Sequence, residues 1–160
     1  MLYKITDHTL WHLFKDDPVR PHLSEHFRTS LGREAFVLYE DKYAEFDDPS
    51  DLPRAVICAA YTNEVPTNER ELDYYSQAAC ADETIPPRIA VFYTVWSYDR
   101  GAGRDIVLAA RDYARDYKHC KRYVTLSPLT DMAKDFHLRN GARLIAHNPN
   151  ESYNFEYPKK

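Results

Sequence analysis

The sequence predicts a mixed α/β fold: a sheet with an antiparallel front half, one parallel β-α-β crossover and helices on its flanks. Two observations carry this. RIAVFYTVW (88–96) is an almost unbroken apolar and β-branched run, the pattern of a strand buried on both faces. It passes through a glycine turn, DRGAGR, into Ile106, Val107, Ala109, Ala110, Tyr113, Ala114 and Tyr117 at helical spacing. A second apolar run, RYVTLSPL (122–129), follows. Two strands joined through a helix in this way pair in parallel.

The other elements follow in chain order. HTLWHLFK (8–15) puts Leu10, Trp11 and Phe14 on one helical face, and Pro18 and Pro21 end the pattern. EAFVLYE (34–40) and RAVICAAY (54–61) read as strands, joined by an acidic loop over 41–53 that contains two prolines. Asn68 with Glu71 three residues on is a capping pair, so a helix is expected over 69–80, closed off by Pro86 and Pro87. Past the crossover, 131–140 reads as a helix with Gly141 at the left-handed terminator position. ARLIAHN (142–148) and SYNFEY (152–157) are the closing strands, giving about six to seven in one sheet.

At 160 residues the length fits one domain, 1–160, with a core over 34–157 after an N-terminal segment of 33. The net charge of −4 gives no whole-chain reason to expect nucleic acid. The basic run Arg111, Arg115, Lys118, Lys121, Arg122 is interleaved with Asp112 and Asp116 and reads as a solvated helix face. No stretch is long and apolar enough for a membrane span, and the N-terminus lacks the layout of a signal peptide. The 3 cysteines lack metal-type spacing, which suits a reduced, cytoplasmic chain. His8/His12 and His22/His26 have the i, i+4 spacing of zinc ligands, but Pro21 and the weak pattern around residue 22 speak against a helix for the second pair, and no cysteine or HExxH accompanies either, so no metal is expected.

The turn at 100–105 carries the chemistry. A helix that starts at a glycine turn offers unpaired backbone N–H groups and the positive end of its dipole to an anion. Arg100 and Arg104 flank the turn and add charge-assisted donors. A dinucleotide fingerprint would need a third glycine where Ile106 stands, and no Gly-Lys-Ser/Thr follows, so neither dinucleotide nor P-loop binding is indicated. Asp105, in the first helical turn, is favourable to the dipole and unfavourable to a bound phosphate.

RGAGRDIVLAARDYAR, together with the strand order, resembles the GCN5-related N-acetyltransferase (GNAT) family, whose signature Gln/Arg-x-x-Gly-x-Gly/Ala lies between the fourth strand and the third helix. Arg100, Gly101, Ala102 and Gly103 fit it, Arg104 fills the variable place, and Asp105 departs from it. TDMAKDFHLRNGA resembles the family's later Asn-x-x-Ala-x-x-x-Tyr…Gly-Phe segment: Ala133 and Gly141 match, with Thr130, His137 and Ala142 substituting. The resemblance implies a GNAT-like mixed sheet, with acetyl-CoA as co-substrate and no metal. Its pyrophosphate would lie on Arg100 to Asp105 and its pantetheine arm on the backbone of Val95, Trp96 and Ser97. It also implies acetyl transfer to an amine by direct attack, with His137 in the place of the tyrosine that protonates the leaving thiolate.

Glu40 and Ser127, at strand ends near the splayed part of such a sheet, are candidates for base and for orienting the acceptor. Tyr93 and Ser97 are open alternatives. The segments 1–33 and 62–87 would wall the acceptor site. The acidic tract Glu45–Asp51 hints at a cationic acceptor such as a polyamine, an aminoglycoside or a protein lysine. A homodimer or protein partner stays open, and so does a second class of function, a GNAT-like domain without catalysis that binds another protein.

Overall fold

A computed structural model of the chain describes residues 1–6, 8–40 and 52–160. The acidic tract Glu45–Asp51 and most of the 41–53 connection lie outside these residues. The sheet comprises β1 (Leu2–Lys4), β2 (Arg33–Leu38), β3 (Ala55–Thr62), β4 (Ile89–Ser97), β5 (Arg122–Thr125), β6 (Arg143–Asn148) and β7 (Ser152–Tyr157). Their spatial order is β1-β2-β3-β4-β5-β7-β6, with every neighbouring pair antiparallel except β4–β5. The expected front half, crossover and central β4 are all present. The helices are α1 (Glu25–Thr29), α2 (Glu69–Ala81), α3 (Ala102–Asp116) and α4 (Asp131–Arg139).

The two faces of the sheet are covered by different halves of the chain. One core packs Phe36, Ile57, Phe92 and Phe155 against Ile106, Val107 and Ala110 of α3, with Phe136 of α4 at its margin. The other packs Val37, Val56, Val91 and Tyr93 against Leu72 of α2 and Leu13 and Phe14. Those last two belong to His8–Asp16, a 3₁₀ helix instead of the α-helix read from the sequence. Its apolar residues fall at Leu10/Leu13 and Trp11/Phe14, the i, i+3 spacing of a three-residue turn.

Local chemistry explains the element ends. Asn68 Oδ1 accepts from Glu71 N–H (2.8 Å) to start α2, while the Glu71 carboxylate accepts from Thr67 N–H and Oγ–H instead of from Asn68. Thr130 Oγ1 accepts from Ala133 N–H (3.2 Å) at α4, and Gly141 closes that end at φ 98°. α1, absent from the sequence reading, begins at Ser24, whose Oγ accepts from Phe27 N–H (3.0 Å).

Two irregularities in the middle of the sheet create a gap. Cys58 pairs with Thr94 but Ala59 pairs with Phe92, so Tyr93 is an extra residue on β4. The bulge puts Tyr93 and Thr94 on the same face. β5 also leaves β4 early: the expected strand over 122–129 pairs with β4 only as far as Phe92↔Thr125, and Ser127 bridges to Tyr153 of β7. From Tyr93 to Ser97, β4 therefore has a strand on its β3 side alone.

Candidate functional site

The gap between β4 and β5 and the start of α3 form one concave region. Tyr98 N–H bonds Arg54 carbonyl on the β3 side (2.8 Å). Backbone direction alternates along a strand, so the N–H and C=O of Val95 and Ser97 point the other way, into the gap, and those of Trp96 point at β3. Of the three residues expected to lie along a pantetheine arm, Val95 and Ser97 turn their backbone groups into the gap and Trp96 does not. The Trp96 side chain belongs to the opposite face, where its Nε1–H donates to Tyr98 Oη (3.0 Å).

At the turn, Gly101 adopts φ 81°, and a Cβ there would meet nothing within 4 Å, so the positive φ and open space mark an approachable backbone. Ala102 N–H is taken by the Asp99 carbonyl (3.2 Å) and Asp105 N–H by that of Gly101 (3.3 Å). Gly103 and Arg104, in the first turn of α3, have no intrahelical acceptor for their N–H groups. Gly103 lies against α4: a Cβ there would be 3.0 Å from Phe136 Cε1. Arg100 and Arg104 are exposed and have no ion-pair partner among the described residues.

Asp105 does not stand free. Its Oδ2 lies 3.2 Å from Arg54 Nη2, and Arg54 Nε bonds Asp99 Oδ2 at 3.1 Å. Arg54, raised in pKa by these two carboxylates, neutralises the acidic side of the turn and leaves the arginine side uncompensated. No local pattern marks Arg54, which reads from sequence as the first residue of a strand.

His137 is buried, 5% exposed, with Nδ1 2.7 Å from Tyr157 Oη. Burial pushes the imidazole down to about 4 and the Tyr157 phenol up to about 12. At neutral pH Tyr157 therefore donates to an unprotonated ring, and His137 has no imidazolium proton to give. Ser127 is buried, its Oγ 2.8 Å from Thr125 Oγ1 at the point where β5 departs. Glu40 is exposed beyond the end of β2. Leu38 pairs with Ala55 and Ala55 with Ser97, so Glu40 shares the open end of the sheet but lies two strands from β4, roughly 10 Å. Tyr93 Oη is buried with no hydrogen-bond partner among the described residues.

The opposite face of the gap is built from residues that carry no acyl-transfer role in the sequence reading, where His22 is weighed only as a metal ligand. Arg28 and Asp17 are both fully buried and paired at 2.9 Å. Asp17 Oδ1 also accepts from Thr94 Oγ–H (2.9 Å) and from the N–H groups of Val19 and Arg20, and these bonds hold its carboxyl below the usual range against burial. Arg20 reaches the bulge itself: Nη1 donates to the Tyr93 carbonyl and Nε to Glu69 Oε1 (3.1 Å). His22 Nε2 meets both Glu69 oxygens at 2.9 and 3.0 Å.

Most of the basic run is neutralised in place, Arg111 and Arg115 by Asp112, Lys118 by Glu34 and Arg122 by Glu156. Among the described residues no group of three or more His, Cys, Asp or Glu could hold a metal, and no helix is long and apolar enough to cross a membrane. Two cavities, of about 320 Å³ beside Lys121 and Arg143 and about 300 Å³ beside Trp11 and Glu34, lie away from the turn.

No protein-family profile and no curated protein matches the chain. Solved structures do. Malonyl-CoA decarboxylase from Agrobacterium vitis superposes with a TM-score of 0.70 at 17% identity, over 98% of this chain and 60% of that one. The chain therefore spans about three fifths of that protein. Tetrahymena GCN5 gives 0.51 at 11% identity over 95% and 86% of the two chains. A chain of a KacTA–DNA complex gives 0.51 at 12% over 99% and 92%. The fold is GNAT-like, as the resemblance implied.

Proposed function

We propose that this chain is an N-acyltransferase that moves an acetyl group from acetyl-CoA to an amine by direct attack. The observation that supports it most is the charge arrangement at the turn: Arg54 holds Asp105, while Arg100 and Arg104 have no ion-pair partner among the described residues beside the open start of α3. In this reading the pyrophosphate lies on the N–H groups of Gly103 and Arg104 with Arg100 and Arg104, and the pantetheine arm follows Val95 and Ser97. Acetyl-CoA supplies an activated acyl group. The protein keeps the donor on the α3–α4 face of the gap, and the segments before β2 and around α2 wall the acceptor on the other. Glu40 and Ser127 stand at the edges of that acceptor space. His137, with Tyr157, shapes the α4 side as a neutral pair.

A second reading, a GNAT-like domain that binds a protein without turnover, is favoured by one observation: the residue in the proton donor's place is buried and unprotonated. Calorimetric titration with acetyl-CoA, run beside Arg100→Ala, tests the first. Micromolar binding weakened by the substitution is expected. No heat at millimolar acetyl-CoA would refute it and leave the second.

A further inference from the structure

Amine acylation needs a base, and a carboxylate-bound imidazole is linked to the gap through Arg20. We infer that His22, oriented by Glu69, is the catalytic residue that takes the proton from the attacking nucleophile; the inference rests on the acyl-CoA reading above. The residues form a chain that ends at the sheet gap. The Tyr93 carbonyl, at the bulge where β5 leaves β4, holds Arg20 Nη1, Arg20 Nε holds Glu69 Oε1, and Glu69 holds His22 Nε2. Arg20 is nearly buried, at 7% exposed, and fixes the Glu69 carboxylate from below. His22 is 57% exposed, so an incoming amine can reach it.

The tautomer follows from the partner. A carboxylate accepts only, so in the neutral ring Nε2 carries the hydrogen and Nδ1 holds the lone pair. Nδ1 has no hydrogen-bond partner among the described residues. This is the base–orienter arrangement of acyl-transfer sites, with Glu69 as the positioning residue. In the step, the amine nitrogen bonds the thioester carbonyl carbon, the C–S bond breaks, the nitrogen's proton passes to Nδ1, and the thiolate is protonated from solvent. α3 and α4 cover the other face of the sheet, so donor and base approach the gap from opposite sides.

Water serves as a probe nucleophile: acetyl-CoA and water give acetate and free thiol, read with a thiol reagent. His22→Ala is expected to lower this rate about 100-fold while leaving acetyl-CoA affinity within about twofold. Added imidazole should restore His22→Ala and not wild type, which a structural role would not produce. In the ligand-free protein, long-range ¹H–¹⁵N NMR should show Nδ1 unprotonated in the neutral ring, and Glu69→Gln should mix the tautomers. Thiol release unchanged in His22→Ala, bound acetyl-CoA with no thiol release, or an Nδ1–H tautomer each overturns the base alone. Failure of wild type to bind acetyl-CoA overturns the acyl-CoA reading and the base together.

Discussion

Removing Arg54 should expose the cost of Asp105. In the structure Arg54 spans two carboxylates, Asp105 at 3.2 Å and Asp99 at 3.1 Å, and is itself 27% exposed. With Arg54→Ala the Asp105 charge faces whatever anion occupies the start of α3. At a separation of ~6 Å, two like unit charges repel by ~0.7 kcal/mol in bulk water and ~3 kcal/mol at an effective dielectric of ~20. Asp105 is 52% exposed, so the screened end weighs more, and ~1–1.5 kcal/mol is expected. That is about a five- to twelvefold rise in the Kd for acetyl-CoA. The fold should tolerate the change, because exposed ion pairs contribute ~0–1 kcal/mol.

A double-mutant cycle separates this from a direct Arg54–phosphate contact. Asp105→Asn in the Arg54→Ala background should recover most of the loss, while Asp105→Asn alone should shift Kd by about twofold or less, since Arg54 already offsets that charge. Calorimetry at low and high salt gives the four affinities, and the gap should narrow in high salt, where the Debye length falls to ~3 Å at ~1 M. Two results would refute the reasoning. One is Arg54→Ala leaving the affinity unchanged. The other is Asp105→Asn acting equally in both backgrounds, which would mean that the two side chains are not coupled.

Three further outcomes concern stability. His137 is held to about 4 against an unfolded value of 6.5, so its neutral form contributes fully above about pH 6.5 and that contribution is lost as pH falls through about 4. Wild type should lose about 3 kcal/mol from this group over that window, and His137→Gln should flatten the urea-midpoint profile there. Arg28→Met leaves Asp17 buried without its cation and should cost about 3–5 kcal/mol; Asp17→Asn with Arg28→Met should cost less than the single change, checked by thermal unfolding. Gly103→Ala forces a Cβ to 3.0 Å from Phe136 and should lower stability by ~1–2 kcal/mol, and with Phe136→Ala already in place it should be neutral or stabilising.

The division between what was legible and what was not follows the range of the interactions. β3, β4, α3 and the α4 terminator at Gly141 were readable because burial on both faces, a 3.6-residue stripe and a left-handed terminator are written over a few consecutive residues. β1 has three residues and exists only because Leu2 to Lys4 find Leu38 to Phe36, a pairing no local pattern records. The early departure of β5 is equally non-local: RYVTLSPL reads as one strand, yet Ser127 turns to Tyr153 and opens the gap on which the site depends.

The same distinction governs the charges. A charged residue in sequence is expected at the surface, so Asp17 and Arg28, a fully buried pair beside Thr94 of β4, carried no signal. Asp105 was visible as the departure from the glycine-rich pattern, and its isolation within that pattern made it look adverse to phosphate. Its partner lies 51 residues upstream, just before β3, three elements back along the chain. A motif scanned along the chain weighs each residue against its sequence neighbours, whereas the electrostatics of the turn are set across the sheet. The departure at Asp105 is therefore better treated as one half of a pair, and its effect on an anion depends on whether Arg54 stays with it when the site fills.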